Sequence, residues 1–252
     1  MRKESVSGLK GVIAKLERRG LVERVKKEVS IRYELSRVIS AYEGRKAVII
    51  EKAVGGKDEE MLSIVAGVCS SENLLEEALG EDPREKLLLA IERPGEFKYV
   101  DEKGPYQLMY RGEPVDEIIP IPRHYPEEGG PYITSGIFIV KDEEEGRFNA
   151  SYHRMMYLGE NRFSVRVVGG RDLYRLLRRS EEAGEELKAT VAIGSHPSLM
   201  LAASTSAGTL DELKIAAGIT GEALRLVKCR LSDIYVPADV EIILEGRFIL
   251  GE

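Results

Sequence analysis

The densest run of reactive side chains in the sequence is Phe148-Asn149-Ala150-Ser151-Tyr152-His153-Arg154. Alternate residues of an extended strand share a face, so Asn149, Ser151 and His153 point one way. Two readings fit that pattern. On a buried strand the three polar groups line a pocket; on a solvated strand they need no ligand. Arg154 falls on the opposite face unless a bulge intervenes. Asp172 follows Gly169-Gly170 and precedes Leu173, which reads as an N-cap and explains it without a ligand. Glu212 closes a capping box from Thr209 in Thr209-Leu210-Asp211-Glu212. Gly194-Ser195-His196-Pro197 is a strand-to-helix turn whose backbone amides can hold a phosphate, with His196 read as structural. An Asn, an Asp and a Glu together could supply hard oxygen ligands to a divalent ion, though nothing in their spacing forces it.

Two stretches of different character position these groups. In the first, Leu9, Val12, Ile13 and Leu16 recur at helical spacing, with Gly20 as a stop. Ile31, Leu35, Val38, Ile39 and Tyr42 predict a second helix. Lys46 to Ala53 and Leu62 to Val68 predict strands, and Ser71 to Leu79 a helix. Asp82-Pro83-Arg84-Glu85 supplies an N-cap, a proline at the first helical position and an acid two residues on, so another helix starts there. This alternation is that of an α/β unit. The polar run from Gly95 to Tyr106 marks a boundary, dividing the chain into 1–105 and 106–252.

In the second stretch, strands are expected over Ile133 to Val140, Arg147 to Leu158, Asn161 to Val168, Lys188 to Gly194, Arg225 to Val236 and Val240 to Leu250. Asp142 to Gly146 reads as a solvated hairpin tip. Helices are expected over Arg171 to Ala183, Pro197 to Ala203 and Leu210 to Ala217. The whole is an α+β chain whose second part is a mostly antiparallel sheet with inserted helices, consistent with a barrel.

Composition sets the outer limits. The 252 residues are 43% hydrophobic, enough for a substantial core. Charged residues reach 32%, Trp is absent and Cys numbers two, which leans towards a thermophile surface. A net charge of −6 leaves no global basic field for nucleic acid. Arg175, Arg178 and Arg179 alternate with apolar residues at helical spacing and read as a solvated helix face. Cys69 and Cys229 are distant from each other in apolar surroundings, as buried free thiols of a reducing cytosol would be. Met1-Arg2-Lys3-Glu4-Ser5 leads into an amphipathic helix rather than an apolar signal core, and no apolar run has the length of a membrane span. A cytoplasmic protein is expected.

Taken in order, several segments resemble the UbiD family of prenylated-flavin decarboxylases. Ile119-Pro120-Ile121-Pro122 leads to Gly130-Pro131-Tyr132-Ile133-Thr134-Ser135-Gly136, similar to that family's GPYIT segment. Asn149 to Arg154 is similar to its N-x-x-x-x-R strand. Val191-Ala192-Ile193-Gly194 with Pro197 resembles its AxxGxxP turn, and Glu212 with Ala217-Gly218 its E-x-x-x-A-G helix. Leu226-Val227-Lys228-Cys229, Val236-Pro237-Ala238 and Glu241-Ile242-Ile243-Leu244-Glu245-Gly246 resemble its VPAxxEIVLEG strand. The series covers about residues 115–252, and the N-terminal helices fit the family's first domain more loosely.

The resemblance implies a small N-terminal α/β domain followed by a split β-barrel, similar to flavin reductases, that binds prenylated FMN (or FMN). It implies a divalent metal, usually manganese, on Asn149, Glu212 and a position usually held by histidine that aligns with Asp172, with potassium nearby. Ser151, Tyr152, His153, Ala202, Ala203 and Ser204 match positions that touch the flavin and its phosphate. Arg154 matches the arginine that pairs with the catalytic glutamates. The family's E-G-P-[FY]-G-[ED] segment, which carries the catalytic acid, has no counterpart before Glu252. The expectation is a carboxy-lyase core acting on a small unsaturated or aromatic carboxylic acid, with a separate polypeptide supplying the C-terminal domain, in a homo-oligomer. By analogy, the archaeal-like composition makes anhydromevalonate phosphate one substrate to expect. The alternatives are a non-catalytic flavin- or phosphate-binding accessory subunit and an inactive truncated homologue.

Overall fold

The computed structural model describes residues 8–55, 61–100, 112–206, 208 and 210–249. The chain is of the α+β class. Its first part begins with α1 (Gly8–Arg18), which buries Leu9, Val12, Ile13 and Leu16 on one face. Strands β1 (Val22–Ser30), β2 (Ala47–Val54) and β3 (Ile64–Ala66) form a sheet in that order, β1 parallel to β2 and β2 antiparallel to β3. Helices α2 (Glu34–Tyr42), α3 (Glu72–Leu79) and α4 (Pro83–Glu92) complete this part. The Ser71 and Asp82 side chains cap α3 and α4 by accepting backbone N–H groups, as the sequence predicts for Asp82.

Strand β1 was not expected. Glu23, Arg24, Lys26, Lys27 and Glu28 hide its alternation, and only Val29 is buried. Pairing with the apolar β2 and ion pairs from Arg24 to Glu17 and Glu51 hold it in place. Helix α2 starts later than the apolar spacing suggests: Ile31 lies outside it, and the Ser30 N–H donates to Glu34 in the first turn. Cys229 is buried as expected, but Cys69 is exposed, because it sits in the turn ahead of the α3 cap.

The second part holds three sheets. The largest is antiparallel, in the order β13 (Ile242–Arg247), β10 (Lys188–Ile193), β6 (Ile137–Asp142), β7 (Arg147–Tyr152). A second contains β5 (Tyr132–Ile133), β8 (Met155–Gly159) and β9 (Arg162–Val165). The third joins β12 (Tyr235–Pro237), β11 (Leu224–Lys228) and β4 (Phe97–Tyr99). A short α5 (Val115–Ile118), α6 (Asp172–Ala183), α7 (Pro197–Ala203) and α8 (Glu212–Thr220) are inserted between strands. The expected boundary at 105 lies outside the described residues.

Several expected strands divide. Residues 133–140 become β5 and β6, with Gly136 between them so close to Val191 that a Cβ would sit 2.5 Å from its Cγ1. Residues 147–158 split at His153-Arg154 into β7 and β8, which belong to different sheets. Residues 225–236 become the hairpin β11–β12. Helix α8 buries Leu213, Ile215, Ala216, Ala217 and Ile219, so it is apolar nearly all round and lies in the core. Gly218 allows this: a Cβ there would meet the Ala90 Cβ of α4 at 2.9 Å.

The hairpin tip is solvated as expected over Glu143 to Gly146, all exposed, but not at its first residue. Asp142 is 0% exposed and receives Arg179 at 2.6 Å and Arg175 at 3.2 Å from α6, so those two arginines do not form a simple solvated face either.

Candidate functional site

β7 is an edge strand, and its free edge is satisfied by side chains. The Phe148 N–H donates to the Asp211 carboxylate at 2.8 Å, and the Ala150 N–H donates to the Glu212 carboxylate at 2.9 Å. Two consecutive acids at the start of α8 thus stand where a further strand would. Asp211, not Thr209, is the N-cap: it also accepts the Leu213 and Lys214 N–H groups. Glu212 is therefore the first helical residue and does not close a capping box; Thr209 lies outside the described residues. Burial raises the pKa of both acids, that of Glu212 to about 7.

Phe148 and Ala150 enter the core on one face of β7. The other face presents Asn149 and Ser151 to a cavity of about 910 Å³. The strand ends at Tyr152, and the break at 153–154 turns both His153 and Arg154 into the same cavity. The uncertainty about Arg154's face is thereby resolved by a strand break instead of a bulge within a strand. The Ser151 hydroxyl lies 3.2 Å from Asn149 Oδ1 and 3.0 Å from His153 Nε2, and its single proton serves one of them at a time. His153 Nδ1 faces the Arg166 carbonyl at 3.3 Å, so the proton belongs on Nδ1. Burial lowers the His153 pKa, and the charge of Arg171 lowers it further, so the ring is neutral at pH 7.

Asp172 also lines the cavity, but not as the N-cap expected of it. Arg171 holds that position without a side-chain hydrogen bond, and Asp172 is the first helical residue. Its carboxylate faces Arg147 at 3.4 Å and Arg175 at 3.5 Å. Arg147 is 8% exposed and also meets Glu145 at 2.6 Å. Ala203, Ser204, Thr205, Ser206 and Gly208 also line the cavity. Ala202, expected with them, is fully buried in the core and does not line the cavity. His196 caps α7 by accepting the Ser198 N–H and lies outside the cavity, in keeping with its structural reading.

Sequence reasoning missed Asp211, Arg147, Arg166 and Arg171. Arg147 carried a usable signal, because it shares the β7 face of Asn149 at i−2. Arg166 carried none.

The donor chemistry bears on whether a divalent ion fits. Asn149 is 3% exposed and Glu212 4%. Among the described residues no cation reaches Glu212 within salt-bridge distance. The charge of Arg147 acts on Glu212 without a direct ion pair. A buried amide oxygen and a buried acid with no directly paired cation fit a hard divalent ion. Asp172 is already engaged by two guanidinium groups. Among the described residues no three His, Cys, Asp or Glu side chains converge as a metal-binding group, so an ion here relies on the Asn149 oxygen as well.

Comparison with known proteins agrees with this architecture. Residues 98–252 match the family model of the 3-octaprenyl-4-hydroxybenzoate carboxy-lyase Rift-related domain, and residues 13–93 match that of the N-terminal domain of the same enzymes. Anhydromevalonate phosphate decarboxylase of Methanothermobacter thermautotrophicus is 34% identical over 231 residues, covering 90% of this chain and 52% of that protein. The UbiD-class enzyme HmfF of Pelotomaculum thermopropionicum, in an evolved dimeric form in complex with prFMN, superposes with a TM-score of 0.88 at 31% identity, covering 97% of this chain and 58% of that one. HmfF in complex with FMN gives a TM-score of 0.83 at 30% identity, covering 97% and 56%. The chain spans about half the length of the curated relatives it matches. No helix among the described residues is long and apolar enough to cross a membrane.

Proposed function

Because the chain belongs to the UbiD family of carboxy-lyases, we propose that its cavity binds prenylated FMN for the non-oxidative decarboxylation of an unsaturated or aromatic acid. The observation that carries this reading is the convergence on one cavity of Asn149 and Arg154 from β7 and its end with Glu212 from α8. The prFMN complex of HmfF supports the cofactor, and the decarboxylase relative favours anhydromevalonate phosphate as substrate.

When bound, prenylated FMN supplies an electron sink for the pair released as carbon dioxide departs. Asn149 and Glu212 would hold a divalent ion, manganese in this reading with potassium nearby, at the flavin phosphate. Asp172 would join them by exchanging Arg147 for the ion. Ser151, Tyr152, His153, Ala203 and Ser204 wall the flavin. Neutral His153 keeps its proton at Nδ1 against the Arg166 carbonyl, so Nε2 remains an acceptor that orients Ser151. Arg154 is exposed, with no side-chain partner among the described residues. It would orient the acid that protonates the product carbon, which we assign to the C-terminal domain of such enzymes. We divide the chain into a 1–105 domain and a 106–252 split barrel, in a cytoplasmic homo-oligomer.

The test is co-expression with a flavin prenyltransferase, followed by the absorption spectrum of the purified chain. Bound flavin is expected, with carbon dioxide release once a polypeptide carrying the acid segment is added. Asn149→Ala should weaken metal-dependent flavin binding roughly 10-fold or more. Absence of flavin under every condition overturns the reading. Flavin without turnover after complementation turns it into a non-catalytic flavin-binding subunit.

A further inference from the structure

The arginines at the cavity fall into two electrostatically different sets. Arg175 is committed to Asp142, Glu145 and Asp172, and Arg147, behind the wall, is committed to Glu145 and Asp172. Arg154, Arg166 and Arg171 also line the cavity, and none has a side-chain hydrogen bond or ion pair among the described residues.

These three arginines are each tied to one residue, His153. Arg154 follows His153 in the chain. Arg166 is tied to it through backbone: its carbonyl faces His153 Nδ1, and its N–H donates to the Arg154 carbonyl at 3.1 Å. Arg171 is near enough for its charge to act on the His153 ring. The chain as a whole carries a net charge of −6, and its other cavity arginine has acids beside it. Three like charges around a neutral histidine repel one another unless an anion joins them.

A carboxylate is satisfied by one guanidinium in a two-pronged pair. Under the proposed function the flavin phosphate belongs with Asn149 and Glu212, and Arg154 is reserved for the reacting carboxylate or the acid. Arg166 and Arg171 are then in excess. We propose that they form a subsite for a second anionic group on the substrate, of the phosphate or phosphonate class, and are specificity-determining residues that select acids carrying such a group. This rests on the flavin reading only for which residues hold the cofactor phosphate.

The full chain is titrated calorimetrically with phosphonoacetate, with acetate, with inorganic phosphate and with FMN, for the wild type and for the double variant Arg166→Gln/Arg171→Gln. Both side chains are exposed, so the variant is expected to fold. Charge-assisted hydrogen bonds predict that the wild type binds phosphonoacetate roughly 10- to 100-fold more tightly than acetate, and that the variant loses most of that preference. FMN affinity should change less than about 3-fold, because Asn149 and Glu212 are untouched. Equal binding of phosphonoacetate and acetate by the wild type overturns the subsite. So does a parallel loss of FMN and phosphonoacetate binding in the variant, which would assign both arginines to the cofactor phosphate and leave the flavin reading standing. Discrimination lost in the variant by a protein that binds no FMN supports the subsite and removes the flavin reading instead.

Discussion

Asp142 and Glu212 are two buried acids at either side of β7, and the fold treats them in opposite ways. Asp142, at the end of β6, accepts the Glu144 and Glu145 N–H groups and is met by two arginines from α6. Those partners hold its carboxyl below the ordinary aspartate range, against the upward push of burial. Glu212, at the start of α8, accepts a backbone N–H from β7 but has no cation within salt-bridge distance among the described residues. Burial therefore dominates and raises its pKa to about 7. Both are bolts between strand and helix. Asp142 is a finished one, complete within the chain. Glu212 has its backbone role filled but no direct ion pair, only the more distant charge of Arg147, and it faces a cavity. That combination separates a structural acid from one awaiting a cation.

The largest effect should come from breaking the finished bolt. Asp142→Asn keeps a carbonyl oxygen for the turn but leaves Arg175 and Arg179 without their shared acid. Removing one partner of a buried pair costs about 3–5 kcal/mol, but both arginines reach solvent, so about 2 kcal/mol is expected. Urea unfolding at pH 7 measures it. Because the folded pKa is depressed, Asp142 contributes its stability above the ordinary aspartate pKa and loses it as pH falls through the folded value. The destabilisation of the variant should accordingly fade in strong acid. A variant as stable as wild type at pH 7 would mean that the network is ornamental.

Glu212→Gln should act in the other direction. The folded pKa of about 7 lies above the ordinary 4.5, so the neutral acid is the form the fold favours. Its contribution is whole below pH 4.5 and is lost as pH rises towards 7. Glutamine keeps an oxygen for the Ala150 N–H and removes the charge, so it should stabilise the metal-free chain at pH 8 by roughly 1–3 kcal/mol. Near pH 4 the two proteins should unfold alike. Manganese should raise the melting temperature of the wild type at pH 8 and leave the variant unmoved. Equal stability of both proteins at pH 8 would show that Glu212 already has its counter-charge and that the contrast with Asp142 is false.

The two acids also differ in how far the sequence reveals them. The face shared by Asn149, Ser151 and His153 follows from alternation along one strand, and the structure keeps it. Glu212 was visible as an acid at a helix start, but its capping-box reading failed because Asp211 is the cap and Glu212 answers the Ala150 N–H of β7, 62 residues away. Asp142 escaped notice for the same reason. The acidic turn is solvated from Glu143 to Gly146, but α6 brings Arg175 and Arg179 onto Asp142 from 33 and 37 residues downstream. Arg154 could not be assigned a face, because nothing local announces that β7 stops at Tyr152. Local pattern therefore exposes which residues share a strand or helix face. It does not expose which unpaired backbone or charge a distant element must answer, and the candidate site is built mostly from such answers.

Asp172 stands between the two cases and offers the smallest and sharpest test. It lines the cavity with Glu212, yet it is answered by Arg147 and Arg175 as Asp142 is answered by Arg175 and Arg179. If its place is that of a metal ligand occupied by guanidinium, Asp172→His removes the attraction that holds Arg147 there and leaves a neutral imidazole nitrogen free for the ion. The fold should lose little, about 0.3–1 kcal/mol for an acid at a helix N-terminus, because Asp172 is not the cap. Manganese affinity, read by electron paramagnetic resonance of the free ion, should rise roughly 10-fold. A loss of stability well above 1 kcal/mol with no gain in affinity would place Asp172 with Asp142, as scaffold, and leave Asn149 and Glu212 as the whole of the cation site.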